Sequence, residues 1–431
     1  MTTMAQHTKV LVIGGGIGGF GNALALRRLG AEVELVEQAP EFGEVGAGLQ
    51  MSPNATRLLR EWGVLDRAVE TGVAPRYIVF RDALTGEELL REDVTGEYYE
   101  RYGAPYIVAH RSDLHRLLME ECAELGVILH NNVRVAKTEN VEVDGRAVAR
   151  ATADDGRVFE ADAIVAADGI RSVVRAQLSD DQPVGSEYVA YRGALPISQI
   201  THAGDMEAVV VWMGPECHLV QYPLRQGELF NTVAVYRSPS FAAGQLVYEG
   251  DAELREAYRD CVPEVRAALD NLSHVQRWPM FDRVPIENWV DGNIALAGDA
   301  AHPMLQYLAQ GACQALEDAA ALEAIAARSV FADPEHHDAS RWNAVFREYN
   351  AVRQPRTARI QTTARVWGES WHLTGPVERT VRNMLWKSAD RHGIWDYTDW
   401  LYGEQDYTGD EVSTEAGDRA EVRRVDASTA G

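Results

Sequence analysis

Basic side chains are scarce relative to acidic ones: 41 Lys and Arg against 65 Asp and Glu leave a formal charge of −24 over 431 residues. A surface of that sign repels a phosphate backbone, which argues against nucleic acid as a partner but leaves room for a small anion held in a local pocket. Cysteine is scarce too. Cys122, Cys217, Cys261 and Cys313 lie far apart and form no CxxC pair, so neither a disulfide framework nor a zinc ribbon is indicated, and reduced, buried thiols in a cytoplasmic protein are expected. No apolar run reaches the length of a membrane span, and no internal repeat is evident. The amino-terminal MTTMAQHTKVLVIGGGIGGFGNALAL has the outline of a signal peptide, but six glycines inside it point elsewhere. The length suffices for two domains, each with a core.

Lys9 to Ile13 is a short β-branched run suited to a buried parallel strand, and GGGIGG follows at once. Ile17, Phe20, Leu24 and Leu29 recur at helical spacing; Val33, Leu35 and Val36 then make a second strand ending at Glu37. In this strand, turn, helix, strand and acid, Gly14 makes the tight turn, Gly16 lets backbone approach a pyrophosphate, and Gly19 permits close helix–strand packing. The pyrophosphate would sit on free N–H groups at the helix start. Glu37, 23 residues past Gly14, is placed to accept hydrogen bonds from a ribose diol. The spacing alone does not separate NAD from FAD.

Two later segments repeat the design. ADAIVAADGIRSVVR is an apolar strand breaking at Asp168-Gly169 and passing into an expected helix with Arg171, Ser172 and Arg175; NIALAGDAA stops at Gly298-Asp299 and enters small residues at a helix start. Ligands of open α/β sheets lie beyond the carboxyl ends of the strands, so three such corners can converge on one extended cofactor. In this order GGGIGG, ADGIRSVVR and AGDAAHPMLQYLAQGACQALEDA resemble the three fingerprints of the FAD-dependent aromatic hydroxylases, the single-component flavin monooxygenases that include p-hydroxybenzoate and salicylate hydroxylases. The resemblance runs from about Lys9 to about Gly403. Within the family, EFGEVGAGLQ with Gly48, VFRDALTGE, YRGALP, GPECHLVQYPL and WGESWHL are similar to the branch acting on 3-hydroxybenzoate.

The resemblance implies FAD as cofactor, held by Gly14, Gly16, Gly19, Glu37, Gly48, Arg111 near the pyrophosphate, Asp168, Asp299 on the ribityl chain, and Gly311 and Ala312 toward the isoalloxazine oxygens. Pro303 would line the flavin face. His302 has no second histidine at metal-ligand spacing, so no metal is expected and a loop-fixing role is preferred. NADH, with NADPH as the alternative, would reduce the flavin, and O2 would supply an oxygen atom to a small phenolic acid. A phenolate is far more nucleophilic than a phenol, so a base near the substrate hydroxyl is expected.

From Tyr188 to Phe281 the pattern changes. Val209 to Val211, Leu219 to Tyr222 and Thr232 to Tyr236 read as antiparallel strands, and Tyr77 to Asp82 is expected to join them. The fold class is therefore α/β, a Rossmann-type FAD-binding domain (1–76, 106–187, 282–340) interleaved with a smaller mixed-sheet substrate domain (77–105, 188–281). A helical carboxy-terminal region (341–403) and a disordered tail (404–431) follow. His218 and Tyr222 are four apart, so on a strand both face one side with Val220 between them. The resemblance supports His218 as general base, Tyr222 and Gln306 as substrate contacts, and Asp82 as the group orienting the imidazole. On residues alone, His218 also reads as a satisfied core histidine, Tyr222 as packing, and Asp82 as a solvated turn residue. Arg192 could meet a carboxylate, but the resemblance implies that an arginine here often only braces the cofactor edge, so it is left outside the catalytic set. Trp342, Trp367, Trp371 and Trp386 suit core packing or a homodimer surface. The expected activity is hydroxylation of 3-hydroxybenzoate to gentisate. Salicylate, 6-hydroxynicotinate or another phenol is the first alternative, and a non-hydroxylating FAD-binding protein the second.

Overall fold

The computed structural model describes residues 8–43, 48–143, 145–200, 204–248, 250–274, 276–332, 341–389 and 391–407; most of the expected tail, 408–431, lies outside them. Lys9–Ile13 sits centrally in a six-stranded sheet ordered Val290–Asp291, Ile294–Leu296, Ala163–Ala166, Lys9–Ile13, Glu32–Val36, Ile128–His130. All its pairings are parallel except the antiparallel edge pair. Both faces are covered, which is why these strands read as continuous apolar runs. Helix Ile17–Arg28 packs on one side against helices Gly311–Ala327 and Arg111–Glu124. Phe20, Leu24 and Leu26 are fully buried there.

The second sheet has seven strands, ordered Trp278–Asp282, Val184–Pro196, Leu229–Arg237, Cys217–Leu224, Ala208–Gly214, Tyr77–Asp82, Glu88–Asp93. The three strands read from sequence are all present and longer than the periodicity suggested. Tyr77–Asp82 joins the sheet parallel to Ala208–Gly214, so a segment far upstream completes the substrate face. Alternation divides the side chains. Cys217, Leu219 and Trp212 enter a core closed by Leu254, Tyr258 and Val265, while Val220, Tyr222, Val211 and Met213 face Leu305, Tyr307 and Trp371. A short antiparallel pair, Gly48–Met51 with Ile107–His110, and an antiparallel three-stranded sheet over residues 135–161 complete the β structure.

The carboxy-terminal region is helical as expected: Arg341–Trp371, Pro376–Ser388 and Arg391–Tyr402. Trp342 and Trp371 are buried, and Trp367 and Trp386 pack together, Trp386 lying 4.4 Å from Phe80 between ring centroids. All four tryptophans make packing contacts within the chain. One expectation is corrected. After Asp168 the chain forms a turn, and the helix is only Arg175–Leu178. The Asp168 carboxylate accepts from Val173 N–H at 2.9 Å and Ser172 Oγ from Arg175 N–H at 2.9 Å, so side chains satisfy the backbone where a helix would have begun.

Candidate active site

Gly14, at the end of the first strand, adopts φ +104°. A Cβ there would stand 2.3 Å from the carbonyl oxygen of Ala167, in the second corner, and one on Gly19 would stand 1.8 Å from the Gly14 carbonyl. The first and second corners thus touch through a position that only glycine fills. Gly16 caps helix Ile17–Arg28 in extended conformation, leaving the first-turn N–H groups without intrahelical partners. Glu37 takes Gly15 N–H at 2.6 Å on one carboxylate oxygen and Ala39 N–H at 2.8 Å on the other; each oxygen keeps acceptor capacity for a diol. The Gly15 carbonyl is held by His115 Nε2 at 2.6 Å. His115, four residues after the Arg111 singled out from sequence, carried no local signal for that role.

The second and third corners are tied together by Arg175, which is fully buried, paired with Asp181 at 3.0 Å and donating to the carbonyls of Ala300 and Ala301. Asp168 Oδ1 is buried without a hydrogen-bond partner, and burial raises this carboxyl above its usual range against bonds from the following turn. Asp299 is exposed on the 3-10 turn Gly298–Ala300. His302 has the loop-fixing place preferred from sequence: fully buried, its Nε2 lies 2.6 Å from Asp318, which also takes Gly298 N–H and pairs with Arg353. Burial works to raise the Asp318 carboxyl, but His302 and Arg353 overcome it and hold it low. Gly311 and Ala312 begin the 17-residue helix Gly311–Ala327. The glycine cradle, the orphaned Asp168 oxygen and the two helix starts fit an extended dinucleotide carrying a pyrophosphate. Among the described residues no His, Cys, Asp or Glu cluster suits a metal ion.

The substrate face lies on the seven-stranded sheet. Register places Arg192, Val233, Val220, Val211 and Phe80 in one row across five strands, His218, Met213 and Asp82 in the row on one side, and Tyr222 with Asn231 on the other. In-register neighbours point to the same side, so His218, Tyr222 and Arg192 share a face floored by valines. The Tyr222 ring lies where a Cβ on Gly48 would come within 2.4 Å. Gly48 also donates its N–H to Asn231 at 3.0 Å and pairs with His110, next to Arg111. Gln306 accepts from Arg192 at 3.1 Å, while Arg192 Nε is buried without a partner. Burial lowers the Arg192 pKa, the neighbouring Tyr222 opposing the effect and Arg111 adding to it. Gly48, Tyr222, Gln306, Arg192 and Arg111 therefore gather at one edge, where two cations make a local field suited to an anion despite the overall negative charge.

His218 is 1% exposed, ringed by Tyr307, Trp371 and His372. Burial, then His372, pushes its pKa well below 6.5, so it is neutral at pH 7. Asp82 is not its partner. That carboxylate accepts from Leu84 N–H, Thr85 N–H and Asn383, and pairs with Arg382 at 3.3 Å; the strand Ala208–Gly214 lies between it and His218. The group bonded to the imidazole is His372, at 2.8 Å from Nδ1. Asp82 is neither solvated nor in contact with His218; it fixes its own turn and holds the helix Pro376–Ser388.

A model described as an FAD binding domain matches residues 7–357. The chain belongs to the FAD-dependent aromatic hydroxylases. It is 38% identical to a 3-hydroxybenzoate 6-hydroxylase of Klebsiella oxytoca over 93% of this chain and 98% of that one. It is also 35% identical to a 3-amino-4-hydroxybenzoate 2-monooxygenase of Streptomyces cremeus over 92% and 95%. A solved structure of Klebsiella pneumoniae HpxO with FAD and uric acid shares the fold at TM-score 0.79 and 24% identity, covering 93% of this chain and 98% of that one. The protein is a flavin-dependent aromatic monooxygenase with FAD as its cofactor. No helix among the described residues is long and apolar enough to cross a membrane.

Proposed function

We propose that the enzyme hydroxylates 3-hydroxybenzoate para to its hydroxyl, forming gentisate with NADH and O2. The relative from Klebsiella oxytoca supports the substrate. The observation that carries the reading is the single sheet face on which His218 and Tyr222 flank Val220, with the partnerless Nε of Arg192 in the same row. A meta-hydroxy acid presents a phenol and a carboxylate to the two ends of such a floor. FAD, when bound and reduced, supplies the oxygen atom from O2.

The chain's own residues do the rest. Arg192 receives the carboxylate, its Nε–H satisfied by the ligand as a planar donor fork allows. The phenol turns toward His218, whose Nδ1 is occupied by His372, leaving Nε2 to accept the phenolic proton. Tyr222, kept neutral by burial, bounds the other end, and Gln306 holds Arg192 in place. Leu305, Tyr307 and Trp371 form an apolar roof that excludes water from the reacting groups. Gly14, Gly16, Gly19, Glu37, Arg111, Asp168, Asp299, Gly311 and Ala312 hold the cofactor.

An amino-substituted 4-hydroxybenzoate is the second reading, favoured by the Streptomyces relative. Incubating the FAD-loaded enzyme with 3-hydroxybenzoate or 3-amino-4-hydroxybenzoate, NADH and air, and identifying the products, decides between them. Gentisate is expected from the first and no product from the second. The reverse outcome overturns the substrate assignment.

A further inference from the structure

Two imidazoles meet beneath the substrate face. His218 Nδ1 and His372 Nε2 are 2.8 Å apart, with ring planes inclined 23° and centroids 5.0 Å apart. His372 is 6% exposed and comes from the turn that ends the long helix Arg341–Trp371, 154 residues away in sequence. Its position is overdetermined. Tyr188 stacks on the ring at 4.4 Å and 16°, and Tyr307 meets it edge-on at 5.5 Å. Its N–H donates to the Glu369 carbonyl, and its carbonyl accepts from Glu216 N–H, both at 3.1 Å. Arg382, bound to Asp82, donates to the carbonyl of the preceding Trp371 at 2.8 Å. Tyr258 anchors the other imidazole's backbone by donating to the His218 carbonyl.

Between two neutral imidazoles joined at one nitrogen each, one donates and the other accepts. If His218 Nδ1–H donates, its Nε2 carries the lone pair a phenol needs; if His372 donates, Nε2 is protonated and cannot take the proton. The hydrogen bond made by one ring nitrogen sets the state of the other. We propose that His372 is the positioning residue of the catalytic base: it accepts from His218 Nδ1–H, keeping Nε2 bare, and then takes over the substrate's proton equivalent. The phenolic O–H bond breaks as the His218 Nε2–H bond forms, and His218 Nδ1–H then passes to His372 Nε2, leaving His218 neutral and His372 an imidazolium. The charged and titratable groups packed around the pair are Arg382 with Asp82, Tyr188 and Tyr307. The two tyrosines stay neutral, while burial and the Arg382 charge disfavour a resting imidazolium at His372, so the pair is neutral at rest and carries the added proton only in passing during turnover.

The inference rests on His218 as the base. The test uses FAD-loaded enzyme with His372→Gln, whose side-chain oxygen can accept from Nδ1–H but cannot carry a proton, and His372→Phe, which can do neither. Readouts are bound flavin, KM and kcat for 3-hydroxybenzoate, the pH profile of kcat, and the visible absorbance of a bound nitrophenolic acid, which reports its ionised fraction. Expected are unchanged flavin content, KM within about threefold, and kcat lowered about tenfold in Gln and about a hundredfold in Phe, the scale of acid–base contributions. The rising limb of the profile should move to higher pH and the bound phenolate fraction should fall. A profile and phenolate fraction equal to wild type in His372→Gln overturn the proposal, whatever becomes of the Phe variant. His218→Asn separates the two claims: if it slows turnover while the His372 variants do not, only the positioning role fails; if it has no effect, the base assignment fails first.

Discussion

Replacing Gly14 with alanine should strip the protein of flavin. The new methyl would lie 2.3 Å from the Ala167 carbonyl oxygen, roughly 1 Å inside ordinary contact, so strands Lys9–Ile13 and Ala163–Ala166 must part where they are hydrogen-bonded in register from Val10 to Ile13. Overpacking of this kind costs about 1–3 kcal/mol, and an L side chain at φ +104° adds about 1–3 kcal/mol of backbone strain. The sum, about 2–6 kcal/mol, is a large share of the roughly 5–15 kcal/mol that keeps a domain folded. It falls on the corner that places the first two fingerprints side by side. The assay is flavin absorbance after gel filtration, with a thermal melt of the apoprotein beside it. Gly14→Ala is expected to elute colourless and to melt well below wild type. Full flavin content with an unchanged melt would refute the convergence of the two corners on one cofactor.

Three further outcomes follow from the same geometry. His218→Asn should retain FAD and lose roughly a hundredfold or more in kcat, as removal of a general base does; stopped-flow and steady-state turnover check it. Glu37→Ala should raise the FAD dissociation constant about tenfold through loss of the ribose bonds and the Gly15 and Ala39 contacts, measured by flavin fluorescence; an unchanged constant removes Glu37 from the cradle. Acid should destabilise the fold through the imidazole pair. Burial pushes His218 well below 6.5 and His372 down to about 3, so below pH 6.5 the unfolded chain binds protons that the folded chain refuses. Stability present above 6.5 is then lost as pH falls, by up to about 1.4 kcal/mol per imidazole per pH unit. Urea unfolding at pH 7 and pH 5.5 should show a smaller drop in His372→Gln than in wild type, and equal drops would contradict the burial of a neutral pair.

Much of this was legible in the sequence because it depended on short-range constraints. A positive φ needs glycine, so GGGIGG announced its turn, and period-two alternation put His218 and Tyr222 on one face. What the sequence concealed depends on contacts between distant segments. His372 reaches His218 across 154 positions from a turn with no periodicity, and Asp82 meets Arg382 across 300. No local pattern marks either pairing, and only the resemblance sets Asp82 beside the imidazole. The expected helix after Asp168 failed for a different reason: Asp168 and Ser172 offer backbone N–H groups an alternative to helical bonding. For Arg192 the sequence leaves the row in the sheet open, and the pairing with Val233 supplies it.

The most direct test of the whole arrangement is to titrate 3-hydroxybenzoate into the oxidised, FAD-loaded enzyme and follow the flavin's visible band. A saturable change at one equivalent, weakened in Arg192→Met, is the expected result for a ring held between the sheet face and the cofactor. A flavin spectrum indifferent to saturating 3-hydroxybenzoate, and to 3-amino-4-hydroxybenzoate as well, would contradict it.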